Sequence, residues 1–260
     1  MIGYSQTGLG GGGGMGGELK PLVIGHRGAS SEAPENTLTA FARGLETGTD
    51  GFEFDVHMSK DGELVVIHDE TVARTTSASG WVKDMTLSEL TVLDAGSWFN
   101  PGFRGERIPT LWQVLELIAD KSKLINIELK SGIVIYPHIE RRIIEVLDEF
   151  DILDKTIISS FNHYSLRIVK EVEPKAKTAI LYMEGLVEPW IYAGRVPADG
   201  LHPAYYLVTP EIVRSAHDAG LFVNAWTVDK ADDMKKMVAS GVDAVITNCP
   251  GEMISLLKEE

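Results

Sequence analysis

Two carboxylates lie two positions apart in the apolar run Gly51-Phe52-Glu53-Phe54-Asp55-Val56, and they are where chemistry can first be read. Side chains two apart on a strand share a face. Phe52, Phe54 and Val56 would therefore pack against other elements, while Glu53 and Asp55 point together to the opposite side. Like charges that close resist sharing a dry site. A bound cation would relieve the conflict, and an all-oxygen donor set favours magnesium, calcium or manganese over softer metals. Read alone, the pair also fits an edge strand with one wet face. Other polar residues recur where short apolar runs end. His26-Arg27 follows Pro21-Leu22-Val23-Ile24-Gly25, His68-Asp69 follows Leu64-Val65-Val66-Ile67, and Glu128 and Lys130 share a face of the run 124–130. Ser160-Phe161-Asn162, Tyr182, His202 and Trp226 end later runs.

The elements that would carry these residues alternate regularly from Lys20 onward. Strand-like runs are expected at 21–25, 51–56, 124–130, 156–160, 178–182, 199–202, 221–226 and 243–246, and a hairpin-type turn at Lys60-Asp61-Gly62 adds a short run at 64–67. Helical spacing or a helix start appears near 36–46, 109–120, 138–150, 164–172, 190, 209–219, 230–240 and 252–258. Leaving out the hairpin strand, eight βα units in this length predict an α/β fold of the TIM-barrel type, a (β/α)8 barrel, whose strands end on the face where sites are built. A doubly wound open sheet is the alternative, but the glycine run at 10–14 precedes the first strand, where a dinucleotide fingerprint would follow it. Periodicity fails from about 70 to 108, which predicts a small insertion after the second strand. In a barrel the strand ends converge on one mouth. Glu53, Asp55 and Glu128 would then serve one divalent metal ion, Arg27 and Lys130 a phosphate, and His26 with His68 acid/base proton transfer.

Composition limits the partners. The chain has 260 residues, 44% of them apolar, enough for a substantial core. Its formal charge of −14 argues against nucleic-acid or anionic-membrane surfaces, so an anionic substrate must be met locally. Cys249 is the only cysteine, which excludes an intrachain disulfide, and no stretch is long and apolar enough for a membrane span. Residues 1–19 form a Gly-rich segment expected to be a flexible tail ahead of a barrel domain at 20–260. It has no basic stretch followed by an apolar one, and a cytoplasmic location is expected. Either a monomer or a homodimer is compatible with these features.

Taken together, His26-Arg27-Gly28, Pro34-Glu35-Asn36-Thr37, Glu53-x-Asp55, Lys60-Asp61-Gly62, His68-Asp69, Glu128-x-Lys130, Ser160-Phe161 and Trp226-Thr227-Val228 resemble the signature of the bacterial glycerophosphodiester phosphodiesterases, in register from about 21 to 258. The resemblance implies a TIM barrel with a small insertion and divalent-metal-dependent hydrolysis of small-molecule glycerophosphodiesters to sn-glycerol 3-phosphate and an alcohol. It implies Glu53, Asp55 and Glu128 as metal ligands (Mg2+ or Ca2+, with Mn2+ possible), His26 and His68 as acid and base, and Arg27 and Lys130 as phosphate contacts. Trp226, with Phe161, would line the substrate pocket. His57-Met58-Ser59 departs from the pattern, which has a polar residue such as glutamine and then Leu-Thr.

Other histidines carry weaker signals. His57 shares parity with Asp55 and is read as a polar contact, His202 ends a strand but precedes Pro203, and His138, His163 and His217 are expected to be solvated. Two rival functions stay open: lysophospholipase D action, with Trp98, Phe99 and Phe103 lining an apolar channel, and a non-catalytic phosphate binder, which would be expected to lack one of the two histidines.

Overall fold

A computed structural model of the chain describes residues 20–259. The Gly-rich tail expected at 1–19 lies outside them. The order is β1 (Leu22–His26), α1 (Leu38–Thr47), β2 (Gly51–Met58), β3 (Leu64–Val66), α2 (Leu87–Leu90), α3 (Leu111–Ile118), β4 (Leu124–Leu129), α4 (Ile139–Glu149), β5 (Thr156–Ser160), α5 (His163–Val172), β6 (Lys177–Tyr182), α6 (Pro189–Arg195), β7 (Gly200–Pro203), α7 (Pro210–Asp218), β8 (Phe222–Ala225), α8 (Ala231–Ser240), β9 (Ala244–Thr247) and α9 (Pro250–Glu259).

Eight of the strands are parallel and close on themselves, β9 pairing with β1 and β1 with β2, so the fold is the expected (β/α)8 barrel. β1 pairs with β2 only as far as Glu53, and the antiparallel β3 pairs further along, with Val56 opposite Val66 and Met58 opposite Leu64. The pivotal run is therefore a central strand, which removes the edge-strand reading. Phe52 and Phe54 point outward and meet Phe41 of α1 edge-on, with ring centroids 5.4 and 5.5 Å away. Glu53, Asp55 and His57 take the opposite parity and are buried. Gly51 has a local reason: a Cβ there would lie 1.8 Å from the Leu124 carbonyl oxygen of β4.

Helix starts follow sequence chemistry. Thr37 accepts from the Ala40 amide and caps α1, and Thr110 forms a reciprocal capping box with Gln113 that starts α3. The segment from β3 to α3 holds one short helix, α2, capped by Thr86 and Glu89, and two 3-10 turns at Val82–Asp84 and Pro101–Phe103. Its apolar side chains Val72, Val82, Leu90, Ala95 and Ile108 form a separate small core with Val65 and Ile67. No helix among the described residues is long and apolar enough to cross a membrane.

Candidate active site

β1 hands His26 to the mouth and then turns sharply. Arg27 adopts a left-handed φ of 56°, and Gly28 follows at 92°. Gly28 is required twice over, since a Cβ would also come within 2.6 Å of the Ala40 backbone. The chain returns at Asn36, whose amide donates to the Arg27 carbonyl, so the residues before the Thr37 cap lie over the strand ends. His26 Nδ1 lies 2.7 Å from Asn248 Oδ1, at the end of β9, and Asn248 is held in turn by Asp229. Its Nε2 lies 3.6 Å from Glu53 Oε2. Burial, aided by the Arg27 charge, lowers the His26 pKa to about 4, which keeps the ring neutral.

Glu53, Asp55 and Glu128 lie on the paired strands β2 and β4, Asp55 directly opposite Glu128. Each offers a carboxylate oxygen within 4.8 Å of the others. Arg27 Nε approaches Asp55 Oδ2 at 3.3 Å, Asn36 Nδ2 donates to the same oxygen at 3.0 Å, and Lys130 Nζ donates to Glu128 Oε1 at 2.8 Å. Burial raises the Glu53 carboxyl well above its usual range, with Asp55 and Glu128 adding to the effect. Against the cost of burial, Arg27 and Lys130 hold Asp55 well below its usual range. Glu53 Oε2, Asp55 Oδ1, Asn36 Oδ1 and Asn126 Oδ1 are buried and have no hydrogen-bond partner among the described residues. An all-oxygen donor set with unsatisfied acceptors suits a hard divalent cation, so these residues fit one.

His68 follows β3. Its Nδ1 lies 2.6 Å from Asp69 Oδ1 and its Nε2 3.3 Å from Lys130 Nζ. One cavity is lined by His26, Arg27, Glu53, His68, Glu128, Phe161 and Trp226, together with Asn126, Leu181 and Ile246. Phe161 and Trp226 stand edge-on with centroids 5.6 Å apart. Lys130 joins this set through Glu128 and His68, and Asp55 through the carboxylate cluster. All nine residues singled out in the sequence are thus brought together.

Several neighbours were not singled out. Asn248 and Asp69 hold the two histidines, and Glu35 accepts from Arg27 Nη1 at 2.8 Å. Glu35 stands in Pro34-Glu35-Asn36-Thr37 and Asp69 in His68-Asp69, so position is a signal for both, whereas the contact of Asn248 with His26 depends on closure of the sheet. Arg74, which bonds both Glu35 and Asp69, had none. His57 is a buried polar contact to the Tyr136 hydroxyl (2.8 Å) and the His68 carbonyl (3.1 Å), as expected. His202 is fully buried inside the barrel beside Asn224 Nδ2. His163 corrects the sequence reading: instead of being solvated it is half-buried, because α6 and the end of β6 bring the Tyr192 hydroxyl and the Leu181 carbonyl to its two ring nitrogens. Trp98, Phe99 and Phe103 pack on one another in the insertion and are not among the residues lining the cavity.

Residues 26–252 match the model of the glycerophosphoryl diester phosphodiesterase family. A glycerophosphodiester phosphodiesterase of Caldanaerobacter subterraneus subsp. tengcongensis is 53% identical over 241 residues, covering 93% of this chain and 99% of that protein. A solved Oleispira antarctica phosphodiesterase, in complex with the product sn-glycerol-3-phosphate, superposes with a TM-score of 0.84 at 31% identity, covering 92% of this chain and 97% of that one. The glycerophosphodiester phosphodiesterase of Thermotoga maritima superposes at 0.74 with 30% identity, covering 91% and 98%. With the barrel, the carboxylate cluster and the paired histidines in one cavity, these likenesses identify the chain as a member of the glycerophosphoryl diester phosphodiesterase family.

Proposed function

We propose that the protein hydrolyses small glycerophosphodiesters to sn-glycerol 3-phosphate and an alcohol, with a divalent cation held by Glu53, Asp55 and Glu128. The observation that carries the reading is the pair of histidines. Each has its Nδ1 tied to a side-chain oxygen behind it, and each lines a cavity shared with Glu53 and Glu128. When bound, the cation would act as a Lewis acid on a non-bridging phosphate oxygen. Arg27 and Lys130 would bind the phosphate and offset the charge that grows in the transition state. His26, neutral by virtue of burial, suits the base and takes the proton of the attacking oxygen. His68 then gives a proton to the departing alkoxide. We take the attacking oxygen to be the glycerol 2-hydroxyl, which is already close to phosphorus. The P–O bond to the alcohol breaks, a cyclic glycerol phosphate forms, and water opens it in a second step. Hydrolysis in ¹⁸O-labelled water with NMR detection checks that order; direct incorporation with no cyclic species would remove the hydroxyl route.

The test of the function is a coupled glycerol 3-phosphate assay over several glycerophosphodiesters, after metal stripping and add-back. Activity should vanish on stripping and return with Mg2+, Ca2+ or Mn2+, and Glu128→Gln should lower metal affinity and turnover together. His26→Ala and His68→Ala should each cut kcat by about a hundredfold or more. Full activity in the stripped protein would end the metal assignment, and near-normal turnover in both histidine variants would end the acid/base one.

A further inference from the structure

Arg74 is a charged side chain beside the site that the proposed chemistry leaves unused, and it bonds two carboxylates there. It comes from the insertion, on a loop closed at its base by the Thr71 to Trp81 bridge and by the Val72 amide donating to the Gly80 carbonyl. Val72, Thr75 and Thr76 beside it are buried, and the Thr76 hydroxyl donates to the Val72 carbonyl, so the loop is anchored on the insertion's own core.

The guanidinium makes four charge-assisted hydrogen bonds to two carboxylates. Nε and Nη2 donate to Asp69 at 2.7 and 2.9 Å, while Nη1 and Nη2 donate to Glu35 at 2.8 Å each. Each carboxylate has a second partner in the site: Asp69 holds His68 Nδ1, and Glu35 holds Arg27 Nη1. Arg27 in turn lies 3.3 Å from Asp55. The chain His68, Asp69, Arg74, Glu35, Arg27 therefore runs unbroken around one side of the mouth. A single exposed ion pair would carry little weight, and Arg74 is 41% exposed. A planar fork with two bidentate partners is different, because it fixes direction as well as distance.

The geometry points to Arg74 as a positioning residue, supplied by the insertion, that sets the aim of His68 through Asp69 and of Arg27 through Glu35. This inference rests on the functional reading above and adds to it. The insertion is then part of the device that aligns the site, beyond any effect on substrate choice.

The test compares two substrates, glycerophosphocholine and glycerol 3-phosphate p-nitrophenyl ester. The first has a poor leaving group that needs a proton; nitrophenolate does not. Arg74→Gln should lower kcat on glycerophosphocholine by about ten- to a hundredfold, the loss typical of misplaced support, and far less on the nitrophenyl ester. Arg74→Lys should not restore it, since an ammonium cannot form the fork. Asp69→Asn should reproduce the leaving-group pattern, and adding Arg74→Gln to it should cost little more in kcat while raising KM as Glu35→Gln does. Glu35→Gln should raise KM for both esters. Equal losses of kcat on both esters, rescue by lysine, or additive losses of kcat in the double variant would each overturn the inference. If Arg74→Gln fails to fold by circular dichroism, the Asp69→Asn and Glu35→Gln variants decide it, and an identical pattern in the two counts against it. A readout without turnover is the low-field NMR resonance of the His68 Nδ1 proton, expected to shift in Arg74→Gln and, if unmoved, fatal to the inference. Failure of the functional reading is seen separately, as absence of glycerol 3-phosphate release from the unaltered protein.

Discussion

His26 and His68 line one cavity but have unlike partners. Behind His26 stands a neutral amide, Asn248; behind His68 stands a carboxylate, Asp69. Against its own burial, Asp69 is brought down to about 2 by hydrogen bonds from Arg74 and His68, so it is ionised at any working pH. Glu128 sits at the other extreme. Burial lifts its carboxyl to about 7, with Lys130 resisting and Asp55 assisting. A ligating carboxylate must be unprotonated, so a cation entering the metal-free protein below about pH 7 has to displace that proton, whereas well above it does not. Mn2+ affinity should therefore fall as the pH is lowered from about 8 to about 6, with proton release visible by calorimetry in buffers of different ionisation enthalpy. An affinity flat across that range would contradict the assignment of Glu128 as a ligand.

At the level of elements, β7 carries a second pH-dependent group. His202 is fully buried, Nε2 faces Asn224, and Nδ1 has no hydrogen-bond partner among the described residues. Burial lowers its pKa from 6.5 to about 3. The unfolded chain takes up a proton below 6.5 that the folded protein refuses, so this contribution is intact above 6.5 and is lost as pH falls from there toward about 3. The slope is up to about 1.4 kcal/mol per pH unit for one group. Urea unfolding of the wild type should weaken between these limits more than that of His202→Gln; parallel decline in both would show that His202 titrates normally. The elements themselves were legible because alternation and helical spacing are local: β5 begins and ends where its sequence run does, and Thr37 and Thr110 mark helix starts. The strand-end residues were legible because a barrel collects strand ends. Arg74 was not, because α2 and two 3-10 turns leave no period to read, and its partners Glu35 and Asp69 belong to different connections. Asn248 meets His26 only because the sheet closes, a fact of topology that no window of sequence contains.

On the scale of the whole molecule, a chain of net charge −14 holds Arg27 and Lys130, the cations proposed to bind phosphate, inside a ring of carboxylates. The far field repels an anion and only the near field attracts it. Added salt screens the far field first, since its range exceeds the roughly 8 Å Debye length at physiological ionic strength. For an anionic diester such as glycerophosphoglycerol, kcat/KM should rise or hold steady with moderate salt, while for zwitterionic glycerophosphocholine it should stay nearly level. A steep fall for the anion would mean that the local cations dominate the approach. His26 and Asn248 are separated by 222 positions, yet they share a hydrogen bond. Synthesis proceeds from the N-terminus, and contacts so distant in sequence are closed late, at the cost of ordering everything between them. A nascent chain could bring Glu53, Asp55 and Glu128 together while its last βα unit was still unmade. The orientation of His26 would come only with the final strand, so the proposed cation site can assemble before the proposed base is aimed.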